Sequence, residues 1–224
     1  MLHEFKKIGE FMFREGLVDS HGGDMSLRQG DRIFITSREA MLGDLEDNDI
    51  VEVGLEAGGG DERASKEVNT HRAIYKETGA QAIIHTHSPQ AVAISLTDNK
   101  IIPQDAEGLA VFRSAAIVRA HQAIASEEVN RLLPTFLQGN SIVAVVRGHG
   151  VFAIGKEMEE AYKYASCLEN SCRILVAMRA SASKSPQAAK ESHPPSRPNR
   201  PMPGQRSAIP PGIGVMDRSR YNKR

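Results

Sequence analysis

Residues 82–87 read Ala-Ile-Ile-His-Thr-His, an apolar run that ends in two histidines. In an extended segment alternate side chains share one face, so His85 and His87 are expected to point the same way. A carboxylate, Glu67, lies eighteen positions before His85, and a third histidine, His149, stands between two glycines far downstream. Three imidazoles and one carboxylate can hold zinc and leave a coordination position for substrate. The stretch therefore predicts a metal site built on a β-strand.

Strand-like and helix-like patterns interleave around this stretch, which predicts a single α/β domain over residues 1–182. Helices are predicted at about residues 2–15, 65–78, 89–95, 116–137 and 158–178. Strands are predicted at about residues 24–27, 32–36, 49–55, 82–87, 101–102, 141–146 and 151–154.

The last part of the chain, residues 183–224, differs in composition from the rest. From Lys184 onward it holds eight of the eleven prolines, and nine Lys and Arg against two Asp and Glu. A Pro-rich, apolar-poor segment buries too little surface to offset its chain entropy, so it is predicted to be mostly extended or disordered. Its basic residues are sparse and lack interleaved aromatic residues, so a nucleic-acid partner is not expected.

The composition is that of a soluble globular protein, with 40% hydrophobic and 25% charged residues. No apolar stretch approaches the roughly 20 residues of a membrane-spanning helix, and the charged N-terminus does not resemble a secretory signal. The two cysteines, Cys167 and Cys172, lie five positions apart in a helical pattern, where they point in different directions. These features predict a cytoplasmic protein without a disulfide or a membrane partner.

Five short segments occur in a fixed order along residues 5–178. They are Gly22-Gly23-Asp24-Met25-Ser26, Ile35-Thr36-Ser37-Arg38-Glu39, Ser65-Lys66-Glu67 with His71, His85-Thr86-His87-Ser88 and Gly148-His149-Gly150. With these segments the chain resembles the class II aldolase/adducin family, and within it the members of the L-fuculose-1-phosphate aldolase type. A lone His-x-His would be a weak signal, whereas this ordered set is specific.

The resemblance implies a fold, a metal site and an assembly. The fold would be a central, largely antiparallel sheet flanked by helices, and the protein a homotetramer with active sites at subunit interfaces. His85, His87 and His149 would bind Zn2+ or a similar divalent ion. Glu67 would be both a nearby metal ligand and the catalytic acid/base. The substrate would be a sugar or sugar phosphate.

The chemistry of an aldolase explains why these groups belong together. Cleavage leaves a carbanion next to a ketone, best carried as an enediolate, whose oxygens a zinc ion on three neutral imidazoles can stabilise. A carboxylate beside the metal can then move the proton at the enediolate carbon. A permanently coordinated Glu67 would lose this role, so substrate is predicted to displace it.

Three other reactions or roles share this set of residues or this fold. A pentulose-phosphate 4-epimerase and a methylthioribulose-phosphate dehydratase would use the same histidines with different acid/base groups. Adducin-like domains keep the fold and act in assembly without the metal. Retention of the three histidines and Glu67 favours an enzyme over an interaction domain.

The segments that would bind the far end of the substrate depart from the family pattern. Asp24 stands where the family has Asn, Arg38 and Glu39 interrupt a Thr-Pro-Ser-Gly type loop, and Lys66 replaces a serine. The predicted substrate-binding residues are Gly23, Asp24, Ser37, Arg38, Ser65 and Lys66. Arg38 and Lys66 would either bind an anion through charge-assisted hydrogen bonds or pair with Asp24 and Glu39. Both alternatives remain open from the sequence.

Overall fold

The structure is a computed structural model that describes residues 1–183. The strands are β1 Asp24–Gln29, β2 Arg32–Thr36, β3 Ile50–Gly54, β4 Ala82–Thr86, β5 Lys100–Ile101, β6 Ala115–Val118, β7 Val143–Val146 and β8 Gly150–Gly155. The α-helices are α1 Leu2–Glu15, α2 Val68–Glu77, α3 Pro89–Thr97, α4 Ala106–Val111, α5 Glu127–Leu132 and α6 Met158–Ser183. Short 3-10 turns cover Leu42–Asp44, Asp47–Asp49 and Leu133–Phe136.

The strands described form one sheet in the order β3-β2-β1-β4-β8-β7-β6-β5. Neighbouring strands are antiparallel except for β6 and β7, which are parallel. Strand β4 is central and pairs with β1 and β8, so that His85 lies opposite Asp24 on one side and Phe152 on the other. This arrangement confirms the predicted α/β fold with a largely antiparallel sheet flanked by helices.

The apolar run at the start of β4 is buried on both faces of the sheet. Ile83 packs into a core cluster with residues of α2 and α5. Its neighbour Ile84 packs into a second cluster with residues of α1 and α6 on the other face. A strand covered by helices on both sides needs a continuous apolar sequence, and this requirement explains the run Ala82-Ile83-Ile84. Both clusters fix β4, and with it the position of His85.

Two predicted elements differ from the structure. The helix expected over residues 116–137 is wrong, because Ala115–Val118 is strand β6 and only Glu127–Leu132 is α-helical. Alanine fits either state, and here parallel pairing with β7 determines the strand. Helix α2 begins at Val68 instead of near Ser65, whose N–H bonds the carbonyl of Thr36 at the end of β2.

The other predicted elements lie close to their predicted bounds, whereas helix α4 Ala106–Val111 was not predicted. Helix α6 continues to Ser183, five residues beyond the predicted end. The extended or disordered state predicted for residues 183–224 concerns residues that, from 184 onward, lie outside the described part of the chain, so it stays a prediction. None of the helices within residues 1–183 combines the length and apolar character required to span a bilayer.

Glu169 of α6 anchors the start of α3, directly after the segment that carries His87. Its carboxylate accepts the N–H groups of Gln90 at 3.1 Å and of Ala91 at 3.0 Å, and the residue is 1% exposed. Burial raises the pKa of Glu169. The residue therefore satisfies two backbone donors that the helix itself cannot satisfy.

Replacing Glu169 by Ala is expected to lower the free energy of unfolding by about 1–3 kcal/mol, because two buried N–H groups lose their acceptor. Urea denaturation measures this change. The matched control is Arg173→Ala, which removes a half-exposed guanidinium 3.6 Å from the same carboxylate. Solvent screens the half-exposed guanidinium, so this variant should stay within about 1 kcal/mol of the parent. Equal losses in the two variants would contradict the anchoring role.

Candidate metal centre

Three imidazole rings meet at one end of the central strands. His85 lies on β4, His87 follows the end of that strand, and His149 lies in the turn between β7 and β8. The ring centroids are 5.0 Å apart for His85 and His87, 4.7 Å for His85 and His149, and 5.3 Å for His87 and His149. One ring nitrogen from each lies within 4.8 Å of the others. Nitrogens bound to one zinc are at most about 4 Å apart, so small side-chain movements suffice.

Two glycines bring His149 to this position. Gly148 has φ 70°, the left-handed conformation that closes the turn between the two strands. A Cβ at Gly150 would lie 2.2 Å from the carbonyl oxygen of Thr86 and 2.8 Å from Cε1 of His85. Only glycine therefore lets the start of β8 lie directly against the histidine end of β4.

The buried imidazoles are neutral and carry free lone pairs. Nδ1 of His85 lies 3.0 Å from the carbonyl oxygen of Val151, which accepts a hydrogen bond, so Nδ1 bears the proton and Nε2 has the lone pair. Nε2 of His85 and Nδ1 of His149 are buried without a hydrogen-bond partner among residues 1–183. Burial lowers the pKa of His85 to about 4. Burial and the neighbouring His85 lower the pKa of His149 to about 4. Unpartnered lone pairs on neutral rings are the donors that a divalent metal requires.

The carboxylate of Glu67 lies beside these rings. The residue is the N-cap of α2 and is 4% exposed. Its Oε1 is 3.8 Å from Nε2 of His149 and accepts the N–H of Ala125 at 2.9 Å. Its Oε2 accepts the hydroxyl of Thr70 at 2.6 Å. Groups of the protein thus hold the carboxylate at the edge of the histidine cluster.

A pocket of about 290 Å³ opens over the histidines and Glu67. The structure also brings to this pocket all the residues predicted to bind substrate, namely Gly23, Asp24, Ser37, Arg38, Ser65 and Lys66. A larger pocket of about 520 Å³ includes Thr78 and Gly155, at the opposite ends of β4 and β8, and no histidine lines it. The chemistry of the histidines and Glu67 belongs to the smaller pocket.

Asp24 is held by groups behind the pocket. Its Oδ1 lies 2.7 Å from Nε2 of His71, and its Oδ2 accepts the hydroxyl of Ser65 at 2.6 Å. Burial alone would raise the pKa of Asp24. The charge and hydrogen bond of His71 lower that pKa by more, so the pKa of Asp24 is well below its ordinary value. Asp24 is therefore ionised. The Ser65 hydroxyl donates its proton to Asp24 and accepts a hydrogen bond from the N–H of Glu67 at 3.1 Å.

Arg38 and Lys66 do not form the ion pairs that one alternative proposed. Within residues 1–183 neither side chain pairs with Asp24 or with Glu39. Asp24 instead lies 2.7 Å from Nε2 of His71 and accepts the hydroxyl of Ser65. Both cations are exposed and line the pocket. They remain available to an anionic group of a ligand.

Three residues near Glu67 did not emerge from the sequence. Thr70 lies three positions after Glu67, a helical spacing that places the two side chains side by side, so its role was detectable in principle. Ala125 contributes only its backbone N–H, which has no sequence signature. Ile124 lines the pocket although it is 63% exposed.

Comparison with known proteins identifies relatives of the chain. The sequence model described as "Class II Aldolase and Adducin N-terminal domain" matches residues 3–176. The crystal structure of an L-fuculose-1-phosphate aldolase from Thermus thermophilus is 32% identical with a TM-score of 0.78, over 82% of this chain and 96% of that chain. An L-fuculose phosphate aldolase from Methanocaldococcus jannaschii is 28% identical over 178 residues, or 77% of this chain and 94% of the relative. A methylthioribulose-1-phosphate dehydratase from Acidiphilium cryptum is 32% identical over 187 residues, or 74% of this chain and 85% of the relative.

Proposed function

The chain belongs to the class II aldolase and adducin family, and we propose that it is a metal-dependent aldolase that cleaves or forms a carbon–carbon bond in a ketose phosphate. One observation carries this proposal. Three imidazoles, at least two of them with unpartnered lone pairs, converge within 4.8 Å beside the carboxylate of Glu67. Such a set is suited to forming and protonating a carbanion next to a carbonyl group.

His85, His87 and His149 would hold the metal, and their nitrogen donors suit zinc among the divalent ions. When bound, the metal supplies a Lewis acid that stabilises negative charge on the oxygens of the substrate. Because the imidazole ligands are neutral, they leave the positive charge of the site undiminished. The N–H of His85 is fixed by Val151, so its ring is already oriented for binding.

Glu67 would be the acid/base, and a metal ligand before substrate enters. Once displaced by substrate, its carboxylate takes a proton from, or returns a proton to, the carbon next to the carbonyl. Its burial keeps water away from this proton transfer. The helix N-cap position of Glu67 and the bond from its N–H to Ser65 fix the backbone of the base.

The phosphate end of the substrate would be bound by Arg38 and Lys66 at the mouth of the pocket. Both cations are exposed and free of ion pairs to Asp24 and Glu39. The buried side of the pocket presents the Asp24 carboxylate and a Ser65 hydroxyl whose proton is already donated. A phosphate dianion is therefore repelled by Asp24 and attracted to the rim of the pocket, where Arg38 and Lys66 lie. Gly23 and Ser37 also line the pocket and would contact the sugar chain.

Replacing Lys66 by Ala is expected to raise KM for the phosphorylated ketose about 10-fold, because one charge-assisted hydrogen bond to the phosphate is lost. The value of kcat should change by less than about 3-fold, since Lys66 does not touch the reacting carbon. Steady-state kinetics measure both parameters. Lys76→Ala is the matched control, because this exposed lysine at the other end of α2 pairs with Glu56. An unchanged KM for Lys66→Ala would contradict phosphate binding at the rim.

A second candidate reaction is the dehydration of methylthioribulose 1-phosphate, favoured by the Acidiphilium cryptum relative. Product analysis on a panel of ketose phosphates distinguishes the reactions. Formation of a three-carbon ketone and an aldehyde supports the aldolase. Loss of water from methylthioribulose 1-phosphate would establish the dehydratase, and an intact isomer of a pentulose phosphate would establish a 4-epimerase. A protein that turns over none of these compounds and binds no metal would favour an adducin-like interaction domain.

The proposed assembly is a cytoplasmic homotetramer with active sites between subunits. Ile124 supports the interface, because a large apolar side chain that is 63% exposed at the pocket mouth is the kind of group that a neighbouring subunit covers. Light scattering of the purified protein tests the tetramer directly.

A further inference from the structure

Two donors outside the histidine cluster hold the Glu67 carboxylate. Thr70 donates its hydroxyl to Oε2 at 2.6 Å, and Ala125 donates its N–H to Oε1 at 2.9 Å. The nearer carboxylate oxygen is 3.8 Å from Nε2 of His149. We propose that Thr70 and the Ala125 N–H are positioning groups that compete with the metal for Glu67, so that substrate can displace the carboxylate and free it to act as the base. This inference rests on the proposed function and identifies what sets the position of its catalytic carboxylate.

Ordinary helix capping does not explain these bonds. Glu67 occupies the N-cap of α2, but its side chain accepts no N–H from the first turn of that helix. Both oxygens instead face a side-chain hydroxyl and a backbone donor from a segment 58 residues away in sequence. Two charge-assisted hydrogen bonds to one buried carboxylate fix its orientation more firmly than packing alone.

The Thr70 hydroxyl has a second possible acceptor, the side-chain oxygen of Asn130. Thr70 is fully buried, and its Oγ1 lies 2.7 Å from Oδ1 of Asn130 as well as 2.6 Å from Glu67. A hydroxyl carries one proton, so the two acceptors share it. When the carboxylate moves toward the metal or the substrate, the proton turns fully to Asn130. Glu67 can therefore move away and return while the buried Thr70 hydroxyl keeps a hydrogen-bond acceptor.

Ala125 connects the carboxylate to the mouth of the pocket. It has φ 47°, a left-handed conformation that is unusual for alanine, within the irregular segment between β6 and α5. Ser126 secures this segment by donating to the carbonyl of Gln122 at 2.6 Å and accepting the N–H of Val129 at 3.1 Å. The preceding residue, Ile124, lines the pocket. A ligand that contacts Ile124 therefore also contacts the segment that holds Glu67.

Release of the carboxylate from the metal when substrate binds makes both the base and the metal available to the reaction. A coordinated carboxylate has committed a lone pair and cannot accept a proton from carbon. It also adds a negative charge to the metal and weakens the attraction of that metal for substrate oxygens. The donors at Thr70 and Ala125 compete with the metal for Glu67, so that removal of one donor shifts the carboxylate toward coordination.

The test compares Thr70→Val with Thr70→Ser. Valine keeps the shape of threonine but removes the donor, whereas serine keeps the donor. For Thr70→Val we expect kcat to fall about 10- to 100-fold, which is the loss of one hydrogen bond to a charged group, with KM within about 3-fold. Thr70→Ser should stay within about 3-fold of the parent for both parameters. Thermal melting shows whether each variant is folded.

A second readout is independent of turnover. The visible spectrum of the cobalt(II)-substituted protein reports coordination number, because absorption weakens when ligands are added to a four-coordinate site. Thr70→Val should show weaker absorption and tighter cobalt binding, because Glu67 then coordinates the cobalt more fully than in the parent. Thr70→Ser should match the parent, and the double variant Thr70→Val with Glu67→Gln should lose the effect.

The outcomes separate this inference from the proposed function. If no ketose is cleaved by any form but the cobalt spectra change as expected, the positioning role stands and the reaction is wrong. If Thr70→Val matches the parent in both spectrum and kcat, the positioning role is refuted. Equal losses in Thr70→Val and Thr70→Ser also refute it, because the shared donor would then not matter. Should valine prevent folding, Thr70→Ala gives the same comparison without the added branch.

Discussion

Replacing His85 by Ala is expected to abolish metal binding and to lower ketose cleavage by about 1000-fold or more, since the metal supplies several kcal/mol of transition-state stabilisation. His85 is 1% exposed, and it stacks on Phe152 with ring centroids 4.1 Å apart. Its Nδ1–H donates to the backbone carbonyl of Val151, which leaves Nε2 as its metal-binding atom. Deletion of this ring leaves two imidazoles and the Glu67 carboxylate, for which Thr70 and Ala125 compete, so the remaining ligands hold the metal too weakly to retain it.

Metal analysis and steady-state kinetics on the same preparation measure this loss. His121→Ala is the matched control, because this histidine is 97% exposed in its side chain and lies beside Glu128. The control should keep a full complement of metal and unchanged kinetics. A His85→Ala protein that still carries one metal per chain and cleaves substrate at the parental rate would contradict the assignment of His85.

The second large effect is expected for Glu67→Gln. The amide keeps the size of the side chain but cannot take a proton from carbon, so kcat should fall about 100- to 10,000-fold, the range of general acid–base catalysis. Metal content should stay near one per chain, because His85, His87 and His149 are unchanged. A loss of catalysis without a loss of metal separates this role from that of the histidines.

Isotope exchange isolates the step that Glu67 performs. Exchange of the substrate proton next to the carbonyl with solvent deuterium, followed by NMR, should slow with kcat in Glu67→Gln. Glu62→Gln, a change at an exposed glutamate five positions earlier, should leave exchange unaffected. If exchange persists at the parental rate in Glu67→Gln, another group is the base.

The sequence was sufficient for the part of the site that depends on local periodicity. Residues two apart on a strand share a face, so His85 and His87 were expected to lie together, and their rings are 5.0 Å apart. The apolar run before them was predicted to be part of a strand, and Ile83 and Ile84 pack on opposite faces of the sheet. The ordered motifs extended this local interpretation to Glu67 and His149, which the structure places beside the same pocket.

Features that depend on distant pairing could not be predicted in this way. Ala115 and Ala116 left the state of Ala115–Val118 ambiguous although Ile117 and Val118 favour a strand, and pairing with β7, which starts 28 residues later, determines the strand. The donor at Ala125 is a backbone N–H whose position is set by the fold of its segment. The sequence left open whether Arg38 and Lys66 pair with Asp24, and in the structure the buried His71 lies 2.7 Å from that carboxylate instead.

The proposed function requires three imidazoles to surround one divalent cation beside a carboxylate. Anomalous diffraction from crystals grown with zinc, measured at the zinc absorption edge, tests this requirement most directly. We predict one peak per chain, about 2.0–2.1 Å from a nitrogen of each of His85, His87 and His149, with the Glu67 carboxylate at its edge. A zinc peak bound elsewhere, or none at this position under saturating zinc, would contradict the proposed metal centre.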